Sequence, residues 1–355
     1  MNIKRILFFG SYNPGYSRNR VILKCLNSLN FEVIECRDNS VGFSKFFKLF
    51  NEYWNHKNDY DLMFVPFPGQ EIMPIAWALN KIFGGRPIIF DAFTSHYGGY
   101  ILDRKYYAIN SPRAIYYRFI DKLSCYLADR VILDTQAHVN FFVEEFKIPK
   151  DKFNVVLVST DTDIFKPAVS SITNDTFLVH FHGNFIPLQG SEYIIGAARL
   201  LESENIKFNI VGRGQDYKKA RESADRHCLK NIEWVDPVSY ESLPNLISKA
   251  DLCLGIFGNS PKTELVIPNK IYEYISMAKT VITADTEAVR EVFKDRENII
   301  LCRKADSEDL ASSIIRLRDD SRLRREVALK SYELFKKDLS PEVVTRQLAE
   351  IINNL

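Results

Sequence analysis

Two residues three apart carry the clearest chemistry in this 355-residue chain: Lys270 and Glu273. They fall within Asp251–Asp285, a segment that reads as strand, loop, helix and strand. Leu252–Ile256 is a short apolar run and Gly258–Pro268 a loop rich in turn residues. Asn269–Lys279 follows with helical spacing, Ile271, Ile275 and Ala278 on its buried side. A loop that delivers the chain to a helix N-terminus leaves backbone N–H groups unpaired, and the dipole there favours an anion such as a phosphate. Lys270 in the first turn adds a full positive charge. Glu273 lies on the same face one turn further in, where a carboxylate accepts two hydroxyl hydrogen bonds, as from the cis-diol of a ribose. The pair suits a nucleotide diphosphate, and Glu273 is expected to be exposed, with few core contacts.

Other strand exits offer weaker signals. Val179–Phe181 ends in His182 and Gly183 and leads through Asn184, Gln189 and Gly190 into the helix Glu192–Leu201. A glycine such as Gly183 at a strand exit permits close backbone approach to a phosphate. Gly212-Arg213-Gly214 follows another strand, but the third glycine of a dinucleotide fingerprint would fall at Tyr217. In the first half, the loop Gly10–Gly15 precedes a helix holding Arg18 and Arg20, and Asp91–His96 follows the strand Pro87–Phe90. No Ser-His-Asp set appears. His180 and His182 alternate on one strand with no third ligand, so no metal site is expected.

The run Pro268-Asn269-Lys270-Ile271-Tyr272-Glu273-Tyr274, followed by Lys279-Thr280-Val281-Ile282, resembles the donor-site motif of family-four glycosyltransferases with the GT-B fold. The resemblance implies that Glu273 binds the ribose of a sugar nucleotide. The family's fuller signature has two glutamates separated by seven residues. Here the first falls at Leu265, with Glu264 one step out of register. Family members also place an arginine and a lysine on the diphosphate where this chain has Asn184 and Gln189, so Lys270, backbone amides and Arg213 are left to carry that charge. The same resemblance implies that Gly183 and the pair Gly212 and Gly214 line the donor. The exit near Val235 and Asp236 would read the base through backbone groups. Gly10, Gly15 and Arg18 would face the donor phosphates and acceptor. A histidine commonly stands against the donor sugar, a place His96 or Asp91 would fill, and the spacing does not decide between them.

The implied activity is transfer of a hexosyl or related sugar from a nucleotide diphosphate donor to a hydroxyl of a glycan or lipid-linked glycan, as in polysaccharide biosynthesis. Configuration would be retained, with no metal and no cofactor besides the donor. Two other readings keep the fold: a non-catalytic partner protein, favoured by Leu265, Asn184 and Gln189, and a sugar-nucleotide epimerase, which would want more acid–base groups.

The elements that must position these residues alternate. Arg5–Phe9, Glu32–Cys36, Leu62–Val65, Pro87–Phe90, Arg130–Leu133 and Asn154–Val158 read as strands with helices between, such as Ser17–Leu29. A break at Phe165-Lys166-Pro167 and the polar run Ser170–Asp175 precedes a second series: Phe177–Phe181, Phe208–Val211, Ile232–Val235, Leu252–Ile256 and Thr280–Ala284. Short apolar strands separated by helices argue for parallel sheets buried on both faces. The expected class is α/β: two Rossmann-like, doubly wound parallel-sheet domains of GT-B type facing across a cleft. Residues 1–168 form an acceptor-side domain and 169–338 a nucleotide-sugar-binding domain. Residues 339–355 form a closing helix, which the resemblance sends back to the first domain.

Composition excludes several classes. Forty-seven Lys and Arg stand against 45 Asp and Glu, so bulk charge gives no case for nucleic acid. Six single cysteines in mostly apolar patterns read as reduced and cytoplasmic. The start MNIKRILFFGSY is too short in apolar residues for a signal peptide, and no run approaches a membrane span. Phe43–Trp54 and Ser111–Ala128 are dense in aromatics and cations. Inside an alternating fold their apolar faces are expected to pack on the first sheet. If the aromatics are exposed, weak association with the inner face of the membrane and a lipid-linked acceptor follow.

Overall fold

A computed structural model describes residues 3–168 and 175–355. It divides into two units, Met1–Ser159 with Pro341–Leu355, and Thr160–Ser340. The division falls before the expected boundary at 168, and the linker run Ser170–Asp175 lies, Asp175 apart, outside the described residues.

The first unit is built on a six-stranded sheet: β1 Arg5–Gly10, β2 Glu32–Arg37, β3 Leu62–Val65, β4 Ile88–Phe93, β5 Arg130–Leu133 and β6 Phe153–Val155. The order is β2-β1-β3-β4-β5-β6, and every pairing is parallel. A parallel sheet needs crossover helices on both faces, which is why β1, β3 and β4 are apolar almost throughout. Five helices, α1 Ser17–Ser28, α2 Ser44–His56, α3 Met73–Phe83, α4 Pro112–Leu127 and α5 Gln136–Phe146, make the crossovers. Helices α2 to α5 share one core with one sheet face, through Leu49, Tyr53, Met73, Ala76, Cys125 and Phe142. On the other face α1 contributes Val21, Ile22 and Leu26.

The second unit repeats the plan with β7 Phe177–Gly183, β8 Ile206–Gly212, β9 Ile232–Val235, β10 Leu252–Leu254, β11 Val281–Ala284 and β12 Ile300–Cys302. Its order is β12-β11-β10-β7-β8-β9, again parallel. The helices are α6 Ser191–Leu200, α7 Tyr217–Arg226, α8 Leu243–Lys249, α9 Asn269–Ser276, α10 Glu287–Arg290, α11 Ser307–Asp319 and α12 Ser321–Leu334. The last helix, α13 Pro341–Asn353, belongs to the first unit. Its Val344, Leu348, Ile351 and Ile352 pack beside α1, and Cys25 Sγ lies 3.4 Å from the Pro341 carbonyl oxygen.

The strand order reverses between β1 and β3 in the first unit and between β7 and β10 in the second. Ligands of open parallel sheets bind beyond the carboxyl ends of the strands at such reversals. The chain leaves β7 through Gly183 toward α6 and leaves β10 through Gly255–Gly258 toward α9.

Candidate functional site

Helix α9 starts on Pro268, held extended at φ −68° and ψ 145°, and seven of its eight residues, Lys270 to Ser276, are buried. Glu273 is therefore not the exposed residue expected: it retains 3% exposure and Lys270 retains 5%. The apolar spacing of Ile271 and Ile275 located one buried side, but an eight-residue helix closed in on every side buries its polar residues as well.

Burial gives the two side chains opposite problems. The Lys270 ammonium has no hydrogen-bond partner among the described residues, and its Nζ rests 3.9 Å above the centre of the Phe181 ring. Desolvation pushes its pKa down to about 7, with Glu273 pulling the other way. The same desolvation pushes Glu273 up to about 7, opposed by Lys270 and by a hydrogen bond from Tyr240. The ring offers a cation–π contact, yet three N–H donors remain unanswered.

Glu273 is held from the strand side. His182 Nε2 lies 2.9 Å from Glu273 Oε2. Burial and Lys270 keep His182 neutral, and burial with His182 does the same for His180. A neutral His182 that donates from Nε2 must accept at Nδ1. There the Tyr274 hydroxyl and His180 Nε2 each stand at 3.1 Å. His180 Nδ1 in turn lies 3.0 Å from the Asn209 amide. The Asn209 atom is Oδ1, which accepts from His180 Nδ1, while Asn209 Nδ2 donates to Glu233 at 3.4 Å, and the Tyr274 hydroxyl donates to His182 Nδ1. Its effect is to fix one donor on Glu273, which favours the ionised carboxylate against the pull of burial. The two histidines that alternate on β7 thus act as a hydrogen-bonded support.

Around this centre the expected residues divide. Gly183 is packed under Gln189, whose Oε1 accepts the Phe185 N–H at 3.2 Å. The buried Gln189 therefore braces the turn, while Asn184 is exposed. A Cβ on Gly212 would overlap the Gly183 carbonyl, and one on Gly214 the Asn184 carbonyl. These glycines, at φ +123° and +156°, let the β7 and β8 exits pack backbone to backbone. Arg213 and Asp236 come together, NH2 to Oδ1 at 2.5 Å, with the guanidinium also 4.6 Å over the Tyr217 ring. Glu264 binds Lys304 and accepts the Glu287 N–H at 3.1 Å, which fastens the loop to the start of α10.

In the first unit, two candidates take each other out of play. Arg18 Nε and NH2 donate to Asp91 Oδ2 and Oδ1 at 3.0 and 2.9 Å, and NH1 donates to the carbonyls of Val156 and Leu157 at 2.6 and 3.1 Å. Both side chains are fully buried. Burial raises the Asp91 pKa and Arg18 lowers it. The expected catalytic and phosphate-binding roles give way to a structural pair, because the first turn of α1 points Arg18 into the sheet end. Gly10 is buried at the end of β1, and Gly15 is exposed, its N–H donating to Asn13 Oδ1 at 2.9 Å. His96 is partly exposed. Its N–H donates to Asp121 Oδ1 at 3.0 Å, and the same carboxylate accepts from Ser95 Oγ and the Tyr97 N–H.

Sequence reasoning missed Tyr240 and the support role of His180, His182 and Asn209. The alternation of the histidines on β7 was a usable signal. Asn209 was legible only after β8 had been placed in register, where it stands beside His180.

Two six-stranded parallel sheets, each flanked by helices, define the two-domain Rossmann-like GT-B fold. HepE from Anabaena, solved in complex with UDP and glucose, superposes with a TM-score of 0.75 at 17% identity, covering 99% of this chain and 100% of that one. Sucrose-phosphate synthase from Thermosynechococcus elongatus gives 0.78 at 14% identity, covering 99% and 98%. At those identities the likeness is one of fold. Residues 176–320, within the second unit, match the family described as Glycosyl transferases group 1. The putative colanic acid biosynthesis glycosyl transferase WcaI of Escherichia coli K12 is 29% identical over 109 residues, 30% of this chain and 26% of that protein. An uncharacterized glycosyltransferase of Methanocaldococcus jannaschii is 23% identical over 258 residues, 69% of this chain and 64% of that protein. The chain thus matches about a quarter of the first relative's length and under two thirds of the second's.

Proposed function

We propose that this protein is a glycosyltransferase that moves a sugar from a nucleoside diphosphate donor to a hydroxyl of a glycan or lipid-linked glycan, with retention of configuration. The observation that carries the reading is the buried Lys270 ammonium without a hydrogen-bond partner, one turn before a carboxylate that His182 holds in place. A diphosphate supplies the acceptors Lys270 lacks. A ribose diol supplies donors to Glu273, replacing the hydroxyl of Tyr240. Arg213, half exposed on Asp236, is the second cation a diphosphate would draw in. The family match over residues 176–320 and the HepE complex with UDP-glucose support the same donor class.

In this account the C1–oxygen bond to the diphosphate breaks and its electron pair leaves with the phosphate. The acceptor hydroxyl adds to C1 and releases its proton to the departing diphosphate. Lys270 and the first N–H groups of α9 stabilise the charge that develops there, so catalysis rests on positioning and electrostatics and needs no metal or protein nucleophile. The role beside the donor sugar falls to His96, since Asp91 is closed off by Arg18. Gln189, committed to the Phe185 N–H, favours one other reading: a non-catalytic protein that retains nucleotide binding. Incubation with radiolabelled UDP- and GDP-sugars and a panel of glycan and lipid-linked acceptors separates the two. Acceptor-dependent release of UDP or GDP is expected. Donor binding without transfer or hydrolysis across the panel would favour the non-catalytic protein.

A further inference from the structure

Eighteen large apolar side chains are exposed among the described residues, and fifteen of them lie between Val41 and Tyr126. That concentration is not the usual scatter of single apolar residues over a surface. Helices α2, α3 and α4 turn one side into the same core, through Leu49, Ala76 and Ala114. The expectation that their apolar faces pack on the sheet holds for that side only, because aromatics occupy the outer side as well. Phe46 packs inward, whereas Phe43 is 85% exposed and Phe47 75%. The three outer sides join into one surface. Trp54 of α2 meets Phe83 of α3 at 5.3 Å between ring centres, and Glu71 lies between Lys45 of α2 (3.9 Å) and the Tyr116 hydroxyl of α4 (3.3 Å).

Cations are interleaved with the rings. Lys57 Nζ lies 3.2 Å over Trp54, Arg113 lies 5.3 Å over Tyr107, and Lys122 lies 5.8 Å over Tyr126. Ten Lys and Arg between Val41 and Tyr126 stand against seven Asp and Glu, of which Asp91, Asp103 and Asp121 are buried. The first unit holds 21 Lys and Arg against 17 Asp and Glu, the second 26 against 28, so the basic excess belongs to the unit with the aromatic face. No helix among the described residues is long and apolar enough to cross a membrane. Rings with an apolar body and a polar or cationic rim suit the boundary between lipid headgroups and acyl chains.

We propose that the outer face of α2, α3 and α4 docks on the surface of an anionic lipid bilayer. Aromatics enter the headgroup layer, and Lys45, Lys48, Lys57 and Arg113 pair with lipid phosphates. The surface is independent of the donor site, so either proposal can fail alone.

Sedimentation of the full chain with vesicles tests it. Binding is expected to vesicles containing ~30% phosphatidylglycerol, to weaken on going from ~0.05 to ~0.5 M salt, and to be much weaker on phosphatidylcholine alone. Lys45→Glu with Lys48→Glu should lower the partition coefficient on the order of tenfold or more. Phe43→Ser with Phe47→Ser should lower it by a similar factor. Phe43→Ser with Phe47→Ser should leave melting temperature and UDP affinity unchanged, because both side chains project from the first unit's surface. Absence of binding to anionic vesicles at low salt would overturn the proposal. So would equal binding to neutral vesicles, or a concentration-dependent dimer in analytical ultracentrifugation that Phe43→Ser with Phe47→Ser dissolves, which would assign the face to a second copy.

Discussion

Each unit buries a cation near the carboxyl end of its sheet, and the two are treated in opposite ways. Arg18 donates to both oxygens of Asp91 and to two backbone carbonyls. Lys270, buried nearly as fully, has no hydrogen-bond partner among the described residues and rests over an aromatic ring. A buried charge must be paired or it destabilises the fold, so a fully answered cation is part of the scaffold. An unanswered one is a liability that the fold retains, and a ligand able to answer it is the economical explanation. The same contrast separates the carboxylates. Asp91 is locked bidentate on Arg18, whereas Glu273 is held by one imidazole and one phenol that a diol can replace.

The largest effect expected from this contrast is on folding. Arg18→Met or Asp91→Ala leaves a buried charge without its partner and should destabilise the first unit by about 3–5 kcal/mol. Chemical denaturation checks it, and a loss below ~1 kcal/mol would show that the pair is not structural.

Donor binding should show the second effect. The competent state needs Lys270 protonated, which holds below its pKa of about 7, and Glu273 ionised, which holds above its own value of about 7. Affinity for UDP-glucose, whose own charge is constant from roughly pH 5.5 to 8.5, should therefore peak near neutrality and fall by up to about tenfold per pH unit on either side. A flat profile across that range would mean that the two groups do not face the donor.

The smallest effect should be on the stability of Lys270→Met. Lys270 is lowered on folding, so the stability it contributes is present above its unfolded value and is lost as pH falls through about 7. The variant should melt at the same temperature as the parent or higher, with its advantage greatest below pH 7. A marked drop in melting temperature would place Lys270 in the scaffold with Arg18.

Both series of strands could be read from the sequence, because strands buried on both faces are short continuous apolar runs. The twelfth, Ile300–Cys302, was passed over: three residues after a turn carry too little pattern, although Ile299–Cys302 is apolar. The spacing of Lys270 and Glu273 was legible; their burial was not. Helical periodicity shows which residues share a side, and says nothing of a helix enclosed on all sides. Arg18 and Asp91 looked like site residues because each stands at a strand exit in a loop–helix context. Their partnership spans 73 positions and could be seen only in three dimensions. The resemblance sets Gly212 and Gly214 beside the donor; their packing against the Gly183 and Asn184 carbonyls could be seen only once β7 and β8 were paired.

The central claim is that Lys270 and Glu273 form the diphosphate and ribose contacts of a sugar-nucleotide donor, and isothermal titration calorimetry with UDP, GDP and the matching nucleosides tests it most directly. Lys270→Ala should weaken binding of the preferred diphosphate by about 10–100-fold while changing nucleoside binding little, because only the diphosphate presents the charge. Glu273→Gln should weaken diphosphate and nucleoside alike, on the order of tenfold, because both carry the ribose diol. Unchanged diphosphate affinity in both variants, with folding intact, would contradict the assignment.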